Sequence, residues 1–198
     1  MKQLIHASNG GNSIIDFEPV FERLNNELSA IGQFLEVVCA GGYVMQLYGY
    51  RGTADVDAFF GSNTAIDNAI RKVGEEFELN GPDELWLNNS VANKNPTPPF
   101  QHRENVYKFS HLTVMKVDIM YLMGMKLYSG REQDIQDVAT ILKNNKDAQP
   151  LELLSELKDI GFNPDVSTVL DAFELVNGMD WLTEFYEKHE SELQNYYF

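Results

Sequence analysis

One cysteine, Cys39, in 198 residues removes any internal disulfide and fits a reducing, cytoplasmic setting. Long apolar runs are absent as well. Nothing approaches the roughly 20 residues a membrane-spanning helix needs, so no membrane partner is expected. The opening stretch Met1–Ile15 has one lysine and a Gly-Gly-Asn-Ser patch but no apolar h-region, so it does not read as a secretion signal. Basic residues are scarce, with 15 Lys and Arg against 30 Asp and Glu. The resulting net charge of −15 argues against a broad nucleic-acid surface, while leaving room for a local phosphate site or a basic protein partner. No two of the four histidines have metal-ligand spacing, and His102 and His111 read as structural or solvated. Internal repeats and low-complexity tracts are missing too. What remains is an acidic globular chain whose 43% hydrophobic and 23% charged residues exclude wholesale disorder. Its length suits one domain, or a core with a helical extension.

Periodicity supplies the elements. Phe17, Val20, Phe21, Leu24, Leu28 and Ile31 recur at helical steps, which predicts a helix from Phe17 to Gly32 with Asp16 as its N-cap. The apolar run Phe34–Ala40 predicts a buried strand, followed by a short helix Tyr43–Tyr48 and a second strand Ala54–Phe60. Thr64–Phe77 is amphipathic through Ile66, Ile70, Val73 and Phe77. Leu79–Gln101 holds four of the seven prolines and reads as loop, interrupted only at Glu84–Leu87. Val106–Phe109 and Leu112–Val117 form the expected hairpin. Beyond it the spacing gives helices only: Ile119–Tyr128, Arg131–Lys143, Pro150–Ile160, Pro164–Val176 (with Asn163 as cap) and Trp181–Tyr197. The expected fold class is therefore α+β, with a core over residues 1–117 and an all-helical portion over 118–198 packed on it.

One stretch carries chemistry, from Ala40-Gly41-Gly42 to Thr53-Ala54-Asp55-Val56-Asp57. Asp55 and Asp57 sit in an otherwise apolar strand, and strand alternation turns both carboxylates to one face. Side by side on a partly buried face they repel each other unless a cation neutralises them. Mg²⁺ (or Mn²⁺) suits that role, because it takes one or two carboxylates together with substrate phosphates. Gly41-Gly42 at a strand-to-helix junction lets the backbone approach a ligand closely, and the following helix offers N–H groups to phosphate. A phosphate cradle beside a metal-binding carboxylate pair is equipment for nucleotidyl transfer.

An apolar residue and Gly-Gly, a helix, then Asp-x-Asp on the next strand resembles the signature of the nucleotidyltransferase superfamily that includes DNA polymerase β. The wording from Gly41-Gly42 through Arg51-Gly52-Thr53 to Asp55-Val56-Asp57 is most similar to its AbiEii-like toxin branch, found in toxin–antitoxin and phage-defence systems. A second block, Lys126-Leu127 followed by Arg131, Asp134 and Asp137, resembles that branch's Lys-Leu…Arg-x-x-Asp-x-x-Asp helix pair. The resemblance covers residues 35–143. It implies a small mixed β-sheet flanked by helices, with NTP as donor and Mg²⁺ or Mn²⁺ held by Asp55 and Asp57. Gly41, Gly42, Arg51, Thr53 and Lys126 would face the nucleotide phosphates, with Asp134 as a further acidic group of the site. It also implies a cognate antitoxin protein as partner, and tRNA or a protein hydroxyl as acceptor. Where many relatives have Ser, this chain has Gly42. For the third acid of the superfamily the candidates are Asp118, which also reads as a helix cap, and the position of Asn89, where the chain has an amide.

Plainer readings stand beside these. Asp55 and Asp57 would be solvated at an exposed strand edge, Gly41-Gly42 would be a tight turn, and Arg51 would pair with Asp55. Lys126 would snorkel to the surface, and Arg131, Asp134 and Asp137 would form a surface ladder. Cys39 reads as core. Two further functions compete with the toxin: a catalytically degenerate binding module acting through a protein partner, and a transferase acting on a small molecule.

Overall fold

The computed structural model describes residues 5–7, 13–82, 84–93 and 95–196. The chain forms a mixed α+β fold that divides into two compact units, residues 1–118 and 119–198. In the first unit the apolar run after Phe34 becomes β3 (Leu35–Cys39), the centre of a five-stranded sheet. Its neighbours are β4 (Val56–Phe59), antiparallel, and β7 (Leu112–Val117), parallel. β5 (Leu87–Asn88) runs parallel to β4 at one edge, and β6 (Arg103–Lys108) runs antiparallel to β7 at the other. The spatial order is β5-β4-β3-β7-β6. The central strand β3 is buried at every position except Glu36, which is why it reads as a nearly continuous apolar run.

Helices α1 (Glu18–Ala30), α2 (Gly41–Leu47) and α3 (Thr64–Glu76) complete this unit. α1 packs against α3 and β7, and α2 packs against β4. Phe17, Phe21, Tyr43 and Trp86, all 2% exposed or less, form one aromatic cluster. Phe17 meets Tyr43 edge-on at 5.3 Å, and Phe21 meets Trp86 at 5.4 Å. Trp86 is anchored at both ends. Its indole N–H donates to the Ile70 carbonyl at 3.0 Å, its carbonyl accepts the Val56 N–H at 2.6 Å, and its own N–H reaches Asn80 Oδ1. Gly74 on α3 makes room for this arrangement, since a Cβ there would stand 2.0 Å from Asn80 Oδ1 and 2.6 Å from the indole. The anchor fixes β5 and the turn after it.

The second unit contains α4 (Ile119–Ser129), α5 (Glu132–Lys143), α6 (Pro150–Asp159), α7 (Val166–Asn177) and α8 (Met179–Leu193). α5 packs on α4 and α7, while α7 also packs on α6 and α8. Gly124 on α4 is where the ring of Phe162 sits, and a Cβ there would clash with it. Among the described residues, no helix is long and apolar enough to cross a membrane.

Several details depart from the sequence expectations. α1 is capped at Phe17 rather than Asp16, whose carboxylate instead accepts the Glu18 N–H at 3.1 Å. α7 begins at Val166 with Asp165 at its cap, two residues past Pro164. β6 starts at Arg103, not Val106, because this half-exposed edge strand alternates too weakly to mark its own beginning. β4 is shorter than expected, and Asp55 lies in the bend leading into it. A short antiparallel pair, β1 (Ile5–Ala7) with β2 (Ser13–Ile15), was not expected at all. The helical end expected at Tyr197 lies outside the described residues.

Gly74→Ala should lower stability by about 1–2 kcal/mol, the cost of overpacking against Trp86 less the helix propensity that alanine gains. Urea denaturation checks it. An unchanged or higher midpoint would mean that the Trp86 seat has slack.

Candidate functional site

β3 and β4 bring the two halves of the first motif together. Their register pairs Val38 with Phe59 and Cys39 with Ala58, and the Ala40 N–H donates to the Asp57 carbonyl at 2.8 Å. Gly41, the next residue, therefore lies beside Asp57. It adopts φ +60°, and a Cβ on it would stand 2.7 Å from Asp57 Oδ2. Both facts require glycine, one through backbone strain and the other through space. Gly42 is constrained by space alone: a Cβ there would stand 2.7 Å from Thr53 Oγ1 and 3.2 Å from Arg51 Nη1. α2 has only seven residues, so the feature that meets Asp57 is the residue-41 backbone rather than an extended helix dipole.

The carboxylates are half-buried. The Thr53 hydroxyl donates to Asp55 Oδ1 at 2.8 Å, and Ser90 Oγ stands 3.1 Å from Asp57 Oδ1. Gln46 braces the intervening loop by accepting the Thr53 N–H at 3.1 Å while donating to the Ile15 carbonyl at 2.7 Å. Alternation along β4 sends the fully buried Val56 and Ala58 to one side of the sheet and Asp57 to the other, with Phe59. Asn88 pairs with Asp57 in the parallel β4–β5 register, and its Oδ1 lies 2.5 Å from Ser90 Oγ and 3.0 Å from Ser90 N. Gly41, Gly42, Arg51, Thr53, Asp55 and Asp57 thus converge in the first unit. Ser90 and Asn88 join them from a stretch without periodicity. The Pro- and Asn-rich composition there signalled only a loop.

Both candidates for a third acid have partners of their own. Asn89 uses both ends of its amide on the peptide of Phe60, donating to its carbonyl at 2.9 Å and accepting its N–H at 3.4 Å. A carboxylate could not do both. Asp118 Oδ2 lies 2.7 Å from His102 Nδ1. On β7, the register with Val38 puts Met115, together with Thr113 and Val117, on the side where Asp57 stands. Among the described residues, no group of three or more His, Cys, Asp or Glu side chains is arranged to hold a metal ion. A divalent ion at Asp55 and Asp57 would complete its shell with phosphate and water, which is the habit of Mg²⁺.

Lys126 and Asp134 form a separate constellation in the second unit. Lys126 Nζ lies 2.8 Å from Asp134 Oδ1 and 2.7 Å from Asp137 Oδ2. Arg131 Nε meets Asp134 Oδ2 at 2.6 Å, and Gln133 donates to Asp137 Oδ1 at 3.2 Å. Lys126, Asp134 and Asp137 are 5% exposed or less, so the second block forms neither a snorkelling lysine nor a surface ladder. Two cations face two carboxylates, which balances the charge locally. Burial alone would push the Asp134 carboxyl up, yet Lys126 and Arg131 outweigh it and hold the group below the usual carboxylate range.

Comparisons with models of protein families, with curated protein sequences and with solved structures returned no match.

Lys126→Met should destabilise the protein by about 3–5 kcal/mol by leaving the buried Asp137 carboxylate without a cation and Asp134 with Arg131 alone. Because the Asp134 carboxyl is depressed in the folded state, its contribution is present above its unfolded value near pH 4 and is lost as the pH falls through the folded one. Asp134→Asn should therefore flatten the acid limb of a stability–pH curve. An acid limb identical to wild type would show that this carboxylate is not charged in the fold.

Proposed function

We propose that the first unit is a metal-dependent nucleotide site of nucleotidyltransferase type, moving a nucleotidyl group from an NTP to an acceptor hydroxyl. The observation that carries this reading is the contact between the Gly41-Gly42 backbone and the Asp57 and Thr53 side chains. A turn that excludes every Cβ, set against two half-buried carboxylates, is what a triphosphate with its cation needs. Asp55 and Asp57 are the hard oxygen donors for Mg²⁺ or Mn²⁺, whose chemistry there would be to neutralise the pair and offset the charge that develops on the phosphates. Thr53 and Ser90 each hold one carboxylate oxygen, which fixes the rotamers of the pair. The Arg51 guanidinium, beside Gly42, meets the phosphate. Gly41 and Gly42 let the phosphate approach main-chain atoms. The likeness of the sequence blocks to the AbiEii-like branch extends the proposal to a toxin of a toxin–antitoxin pair, with an antitoxin protein as partner.

A second reading, a nucleotide-binding module without transfer, draws on β7, which offers Thr113, Met115 and Val117 where the chemistry calls for a third carboxylate. Binding and turnover separate the two.

A thermal-shift screen of ATP, GTP, CTP and UTP, each with and without Mg²⁺, tests the common part. At 100 times its dissociation constant, a bound nucleotide adds about 2.7 kcal/mol, which is about 5–10 °C for a chain of this size. The expected result is a Mg²⁺-dependent shift for at least one nucleotide, abolished in Asp57→Asn. The absence of any shift, or an equal shift in the variant, would refute the site. Pyrophosphate release from the bound nucleotide favours transfer over mere binding.

A further inference from the structure

Two further oxygens gather beside the Asp57 carboxylate. Asn88 stands in register with Asp57 across the β4–β5 pair, and Ser90 opens the short turn Ser90–Asn93 that follows. Asn89, between them, is clamped by both ends of its amide to the Phe60 peptide, which holds the turn against the end of β4. Ser90 Oγ lies 3.1 Å from Asp57 Oδ1 and 2.5 Å from Asn88 Oδ1.

Three oxygens meet here, and the Ser90 hydroxyl brings one hydrogen to them. The Asn88 amide cannot turn its nitrogen toward Ser90, because its oxygen accepts the Ser90 backbone N–H at 3.0 Å. The single hydrogen therefore serves two acceptors in turn. On Asp57 it holds the carboxylate; on Asn88 it leaves the Ser90 lone pairs facing Asp57 Oδ1. The first arrangement serves without a cation, the second with one.

The spacing matches the second arrangement. A hydroxyl that donates to a carboxylate draws within about 2.5–2.7 Å of it, closer than to a neutral acceptor. Ser90 shows the reverse order, with the neutral amide near and the carboxylate far. An octahedral ion such as Mg²⁺ holds its ligands at roughly 2.0–2.1 Å, which puts adjacent ones about 2.9 Å apart. The 3.1 Å between Asp57 Oδ1 and Ser90 Oγ is close to that edge. A serine or threonine hydroxyl also serves as a Mg²⁺ ligand at other phosphate-transfer sites.

We propose that Ser90 Oγ is a protein ligand of the divalent cation, sharing an edge of its octahedron with Asp57 Oδ1, and that Asn88 is a positioning residue that takes the Ser90 hydrogen. The added donor comes from the β5 side of the sheet rather than from β7. This rests on the reading of Asp55 and Asp57 as a cation site.

The test is Mn²⁺ binding to the full chain, without nucleotide, followed through the electron paramagnetic resonance signal of free Mn²⁺. Wild type should bind saturably and Asp57→Asn should not. Ser90→Ala, at an exposed position, should weaken Mn²⁺ about tenfold and leave the thermal midpoint unchanged. Asn88→Ala should weaken it less. Added to Ser90→Ala it should weaken it no further, since Asn88 acts through Ser90. Ser90→Cys gives a readout that a structural role would not move. A sulfur ligand favours a soft ion. Cd²⁺ should then displace Mn²⁺ from this variant at least tenfold better than from wild type, whose one cysteine, Cys39, is buried. Wild-type Mn²⁺ affinity in Ser90→Ala, or no gain for Cd²⁺ in Ser90→Cys, would overturn the Ser90 ligand and leave the Asp55–Asp57 site standing. No saturable Mn²⁺ binding, or equal binding in Asp57→Asn, would retire the cation site and the Ser90 ligand with it.

Discussion

The close approach of the residue-41 backbone to the Asp57 carboxylate is the contact on which the rest of the first unit depends. It exists because β3 and β4 are held in one register, with the Ala40 N–H bonded to the Asp57 carbonyl, and because residue 41 has neither a Cβ nor a penalty for φ +60°. Shifting the strands by one residue would turn Asp57 into the side now filled by Val56 and Ala58, and would bury its charge without a partner. Trp86 defends the same arrangement from the far edge of the sheet. By fixing β5 it holds Asn88 beside Asp57 and brings Ser90 to its carboxylate.

The two units handle their charged groups in opposite ways. In the second, Lys126, Asp134 and Asp137 are out of water and satisfied by one another, with Arg131 at the margin. Breaking such a group costs far more than it contributes relative to an apolar packing, so it fixes an arrangement more than it adds stability. In the first unit, Asp55 and Asp57 stay half-buried, each with one oxygen on a hydroxyl, Thr53 or Ser90.

Much of this was legible in the residues. The β-branched run ending at Cys39, the helical spacing of α3 and the all-helical pattern after Asp118 each follow one period long enough to recognise. The Gly41-Gly42 and Asp55-x-Asp57 pairing was visible as a motif because glycine and aspartate are costly in a strand-rich segment without a use for them. Ser90, Asn88 and the double bond of Asn89 to Phe60 were not, since they come from a stretch whose shape is set by the Trp86 anchor and not by local periodicity. The partners of Lys126 were only half legible. The spacing placed acids nearby, but burial of the whole group depends on how α4 and α5 pack, which no local pattern states.

On the proposed reading, one place in the first unit, between Gly41 and Asp57, holds a divalent cation together with a nucleotide. Paramagnetic broadening of amide resonances by Mn²⁺ in the presence of each NTP locates the ion directly. The expected result is broadening centred on residues 41–42, 53–57 and 88–90, deepened by nucleotide. Broadening spread evenly over the acidic surface, or centred on a helix of the second unit such as α8, would contradict it.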